Sequence, residues 1–155
     1  MHEVVEIGLA ERQDPHFLRT GGADVGRDGC RVPLPWEAAR PTFGFGSGGT
    51  HLPQPEWFAS LAVDAQASDP ASMLSLYRRA LALRRELQSG EQLEWVETGH
   101  DDVLRFRRPN GWEVVTNFGS EPYLLDDVSV VLASAPAPIG VVPAETTVWL
   151  GPERG

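Results

Sequence analysis

The eleven-residue run Gly26–Trp36, GRDGCRVPLPW, is the tightest constraint on what this chain can become. It holds two arginines, an aspartate, two prolines and a tryptophan, and it has neither a helical nor a strand period. Such a composition describes an ordered loop with a polar face, of the kind that lines a ligand site. The surroundings are equally aperiodic. Residues 1 to about 56 are rich in Gly, Pro, Asp and Arg, and Phe43–Gly49 is a loop by composition. So long an irregular stretch is either functional or dependent on structure elsewhere. The segment 1–66 is expected to be mobile or poorly packed in the isolated chain.

The chain of 155 residues is one domain or slightly more, and its 41% apolar content suffices for a core. A net charge of −9 argues against a nucleic-acid partner, which needs a basic footprint. Cys30 is the lone cysteine, so no internal disulfide or thiolate zinc site can form, and a cytoplasmic location is the default. No basic, then apolar, leader opens the chain, and no apolar run reaches the roughly 18 residues of a membrane span.

A short helix is expected from Glu56 to about Gln66. The strongest element follows it. Asp69 suits an N-cap and Pro70 the first helical position. Met73, Leu76, Tyr77, Ala80, Leu83 and Leu87 share one face, Arg78, Arg79 and Arg85 the other, and Gly90 is placed to end the helix. From Glu91 onward the pattern changes to strands. Leu93 and Trp95, Leu104 and Phe106, Val128–Ala133 and Thr146–Leu150 carry the apolar positions. Asn110-Gly111, a preferred type I′ pair, should turn one strand into Trp112–Thr116. Pro136, Pro138 and Pro143 mark a connection. Trp95, Trp112 and Trp149 occupy strand positions where burial is expected. The fold class is α+β, with divisions at 1–66, 67–90 and 91–155, the last a small antiparallel sheet or sandwich.

No self-sufficient catalytic constellation emerges. The acids Glu3, Glu6, Asp14, Asp24, Asp28 and Glu37 read as loop solvation or local ion pairing. His2, His16, His51 and His100 are scattered without ligand spacing, so neither a metal nor another cofactor is expected. Ser47 lacks the strand and helix that make a nucleophile elbow work.

Gly26–Trp36 resembles the loop after the last barrel strand in α-glucosidases and oligo-α-1,6-glucosidases of glycoside hydrolase family 13, in their actinobacterial-like version. Leu52-Pro53-Gln54-Pro55 with Trp57 resembles the stretch before the final barrel helix. Asp69-Pro70 through Arg85 resembles that helix. The strands after Glu91 resemble the C-terminal β domain. Glu6-Ile7-Gly8-Leu9 resembles the end of the eighth strand. The resemblance covers nearly the whole chain in order.

It implies a remnant of a (β/α)₈ barrel, its last loop and helix, followed by the β domain. The parent chemistry is retaining hydrolysis of α-glucosidic bonds by an aspartate nucleophile and a glutamate acid/base on earlier strands. No part of this sequence matches those residues, and the barrel needs about 250 residues. No catalytic residue is therefore assigned, and the chain is expected to be inactive alone, as a truncated product or one half of a split enzyme. Arg27 is the implied sugar contact, since a guanidinium can donate to a hydroxyl and a carboxylate together; Asp28 and Arg31 are implied to support the loop. Implied partners are an α-glucoside, a malto- or isomalto-oligosaccharide, and a separate chain carrying the missing barrel. The sequence departs from the family at Met1–Glu6, where a Gly-Glu-Glu pattern is usual, and at His51, where an aromatic residue is common. Cys30 reads as a packed thiol. The alternative is a free-standing, non-catalytic carbohydrate-binding or interaction module.

Overall fold

The computed structural model describes residues 3–88, 90–126 and 128–152. Two compact units meet between Ser75 and Leu76.

The first unit is built of loops and short helices: α1 (Pro15–Arg19), α2 (Phe58–Leu61) and α3 (Val63–Ala67). It is nonetheless packed. Val4, Ile7, Val32, Leu52 and Phe58 form a buried cluster with Phe43 against it. This corrects the expectation of poor packing: apolar side chains scattered through turns still converge when buried polar groups hold the turns together. No strand forms at Glu6–Leu9; a single 3₁₀ turn occupies Leu9–Glu11. The helix expected over 56–66 is split, because Ala62 is extended (φ −60°, ψ 147°).

Helix α4 (Met73–Leu87) begins later than its apparent cap. The Asp69 carboxylate accepts the Ala71 N–H at 2.9 Å and so builds a turn ahead of the helix. Ser72 is the working cap: its Oγ accepts the Ser75 N–H at 3.1 Å and donates to the Gln66 carbonyl at 2.6 Å. Gly90 does not adopt the left-handed conformation of a C-cap. Instead the Asn110 amide donates to the final carbonyl, Leu87 O, at 2.7 Å.

The second unit holds a five-stranded antiparallel sheet. Its strands are β1 (Glu94–Trp95), β2 (Val103–Arg107), β3 (Glu113–Asn117), β5 (Val130–Ala133) and β7 (Thr146–Leu150), in the order β1-β2-β3-β7-β5. β4 (Tyr123–Leu124) and β6 (Val141–Val142) make a separate two-stranded sheet, unanticipated because each strand is too short to show a period and β6 lies in the proline-marked connection. The β2–β3 turn is not type I′. The Gly111 N–H reaches Arg108 O at 2.8 Å and the Arg108 N–H reaches Trp112 O at 2.9 Å. Gly111 has φ +87° while Asn110 stays at negative φ. That is a type I turn closed by a glycine bulge, and Pro109 selects it by pre-setting φ at the first central position.

Strand alternation gives the sheet two faces. Val103, Val115, Val148 and Leu150 pack with Leu125 and Val142 on one. Glu113, on the same side, is buried between two arginines, Arg105 Nε at 2.5 Å and Arg107 Nε at 2.7 Å. Phe106, Val114 and Trp149 lie on the other face beside Arg84 and Gln88. Arg79, earlier on α4, reaches Val131 O at 2.8 Å. Among the three strand-region tryptophans, Trp112 is buried, Trp149 is half-buried and Trp95 is 64% exposed. The exposure of Trp95 corrects its expected burial: β1 is a two-residue edge strand, and the indole meets Phe106 only edge to face.

Candidate functional site

The loop Gly26–Trp36 is held by two buried carboxylates, not by periodic structure. Asp14 caps α1, and Pro15 follows at the first helical position. Its carboxylate accepts the His16 N–H at 2.7 Å, the Arg27 N–H at 3.0 Å and the Arg31 guanidinium at 2.7 Å. Asp28 accepts the N–H groups of Gln13 and Asp14 at 2.7 and 2.9 Å. Asp14 is 4% and Asp28 2% exposed. The loop after α1 and the segment before it are therefore stitched reciprocally.

The backbone N–H of His16, then that of Arg27, holds the Asp14 carboxyl below the usual carboxylate range, with the Arg31 charge adding to this and desolvation opposing it. Asp24 is lowered too, first by the Gly26 N–H, and His16 adds to this against desolvation. Gly26 itself has φ +67°, and a Cβ there would stand 2.7 Å from the Asp14 side chain. Only glycine fits both conditions.

His16 lies between Asp24 (Nε2 to Oδ2, 3.0 Å) and Arg19 (Nδ1 to Nη2, 3.3 Å). With Asp14, Arg27 and Arg31, these residues line an open cleft of about 450 Å³. Arg27 sits on its rim, exposed, and its guanidinium makes no hydrogen bond or ion pair among the described residues. Asp28 does not pair with Arg27; its partners are backbone amides.

The arrangement can offer guanidinium donors and a polar wall to an uncharged or anionic ligand. Its two carboxylates, Asp14 and Asp24, are both engaged within the loop. No group of three or more His, Cys, Asp or Glu among the described residues could hold a metal ion. His2 lies outside the described residues. His51 contributes its carbonyl to Gln13 at 2.7 Å, and the His100 ring meets Tyr123 edge-on. Cys30 is exposed rather than packed, because the side chain leaves a 3₁₀ turn whose buried positions are Asp28 and Gly29. Gly29 is buried with its backbone against Val4, where a Cβ would collide with the Val4 carbonyl.

The acids read from the sequence as loop solvation or local ion pairing include Asp14, which is buried and paired with Arg31; the meeting of His16, Arg19 and Asp24 at the cleft was not foreseen. Two local signals were available: Asp14-Pro15 is a helix cap followed by a first-turn proline, and Asp24-Val25-Gly26 is an Asx turn.

No family model matches the chain. A protein of Rhizobium meliloti (strain 1021) named "Probable alpha-glucosidase" is 41% identical over 113 residues, which is 71% of this chain and 20% of that protein. The crystal structure of the α-glucosyl transfer enzyme XgtA superimposes with a TM-score of 0.71 at 27% identity, covering 97% of this chain and 30% of that one. The trehalulose synthase MutB gives the same TM-score at 20% identity over 97% of this chain and 33% of that one. The chain thus spans a fifth of the curated relative it matches. No helix among the described residues is long and apolar enough to cross a membrane. By sequence and by fold, the chain belongs to the α-glucosidase branch of glycoside hydrolase family 13 and corresponds to the C-terminal portion of those enzymes.

Proposed function

We propose that this chain supplies the last-loop rim of an α-glucoside site, with Arg27 as its sugar contact. The observation that carries the reading is the unpaired, exposed guanidinium of Arg27 on a cleft whose other charged groups already have partners. Arg31 is taken by Asp14 and His16 by Asp24. Asp28 and Arg31 act as supports: their bonds hold the loop at the height from which Arg27 reaches outward. The ligand class is an α-glucoside, a malto- or isomalto-oligosaccharide. The reaction served is retaining hydrolysis of its glycosidic bond, with the nucleophile and acid/base supplied from outside this sequence. Alone, the chain binds but does not hydrolyse.

Two measurements test this. The purified chain should release no nitrophenol from a nitrophenyl α-glucoside above the buffer rate; hydrolysis would overturn the claim of inactivity. In the Rhizobium meliloti relative carrying this chain in place of its matching segment, Arg27→Ala should lower kcat/KM about ten- to a hundredfold, the worth of a charged hydrogen bond. An unchanged kcat/KM would remove Arg27 from the site.

A further inference from the structure

A second cleft lies in the other unit, between the end of α4 and the sheet. It has about 290 Å³ of space, an apolar floor of Phe106, Trp112 and Trp149, and a polar rim of Arg84, Gln88 and Arg108. The Trp112 and Trp149 rings stand 5.2 Å apart at 46°, so their planes form a shallow angled wall. Exposed Trp95 extends this wall beyond Phe106, whose ring it meets edge-on at 6.0 Å.

The cleft is asymmetric in its chemistry. No carboxylate lines it, and all three rim side chains can donate hydrogen bonds. Arg108 is anchored by the Glu91 and Gln92 carbonyls at 2.9 and 3.1 Å. The Arg84 guanidinium makes no hydrogen bond or ion pair among the described residues. The site therefore has unspent donors around an aromatic floor and needs a ligand that is flat and apolar on one face and rich in oxygen acceptors at its edge. A pyranose ring has that form: axial C–H groups on a face, hydroxyls round the perimeter. The chain's net charge of −9 works against anionic ligands at long range.

We infer that this cleft is a binding site for a neutral pyranose unit, separate from the Arg27 site and independent of it. The half-buried Trp149 ring stacks on the sugar face beside Phe106, with buried Trp112 backing it, and Arg84 and Gln88 donate to the sugar hydroxyls from the helix end.

The test is a titration of the full chain with maltotriose, followed by the indole N–H resonances in ¹H–¹⁵N spectra. Saturable shifts of the Trp112 and Trp149 resonances are expected in the millimolar range. Trp149→Ala should weaken binding about tenfold or more. Because that variant can also disturb the sheet, the double variant Arg84→Ala/Gln88→Ala, at exposed positions on the helix end, provides the second reading and should weaken binding severalfold. Arg27→Ala should leave these shifts unchanged, which separates this site from the loop cleft. Shifts that vanish with Arg27→Ala, shifts unaffected by the double variant, or an anionic arene such as naphthalene sulfonate saturating the same resonances where maltotriose does not would each overturn the inference.

Discussion

Asp14 is the residue on which the loop unit depends. Three donors from three separate positions converge on its carboxylate: the His16 and Arg27 amides and the Arg31 guanidinium. Its lowered pKa ties this arrangement to pH. A carboxyl whose folded pKa is depressed contributes stability above its unfolded value and loses it as pH falls through the folded one. The loop unit should therefore loosen only well into acid, below the usual carboxylate range. Tryptophan fluorescence, with Trp36 and Trp57 in that unit, should report it. Asp14→Asn should weaken the unit at neutral pH and flatten the acid limb of the titration. A variant with an unaltered acid limb would show that Asp14 does not carry the effect. A reader of the sequence could name Asp14 as an acid but not its partners, because the donors arrive from 2 to 17 residues away through turns with no period.

At the scale of elements, helix α4 shows how much a pattern reveals. The apolar spacing of Met73, Leu76, Tyr77, Ala80, Leu83 and Leu87 announces the helix; Leu76, Ala80, Leu83 and Leu87 are half-buried, whereas Met73 and Tyr77 are exposed. Its ends are decided elsewhere. Ser72 rather than Asp69 caps the start because the Gln66 carbonyl accepts the Ser72 hydroxyl, while the Gln66 side-chain oxygen accepts the Leu74 N–H. Ser72→Ala should cost about 1 kcal/mol in denaturant unfolding, and Asp69→Ala distinctly less. The reverse order would return the cap to Asp69. The C-terminus is closed by Asn110, a turn residue 23 positions along the chain. Local propensity cannot foresee such a partner. The same holds for the hairpin, where Asn-Gly alone suggests type I′ and the preceding proline selects type I with a glycine bulge.

Across the whole molecule, two cores coexist. Leu52 is 1% exposed in the loop unit, and Val148 is fully buried in the sheet unit. Leu52→Ala should cost about 2–5 kcal/mol locally. Hydrogen exchange should then show lost protection before Ser75 while the amides of β3 and β7 keep theirs. Equal loss in both units would contradict two separate cores. The sequence by itself determined the class of the fold: a helical period, then alternating strands, after a long aperiodic opening whose Gly26–Trp36 run carried the family resemblance. Those features are local, and 3.6- and 2-residue periods survive in a linear text. Tertiary structure alone decided that the opening third packs around buried carboxylates. It also decided that Cys30 and Trp95 face outward, that Arg27 is left unpaired beside His16 and Asp24, and that three aromatic rings meet three donors at the end of α4. Each of these rests on contacts between residues remote in sequence, and no periodicity records them.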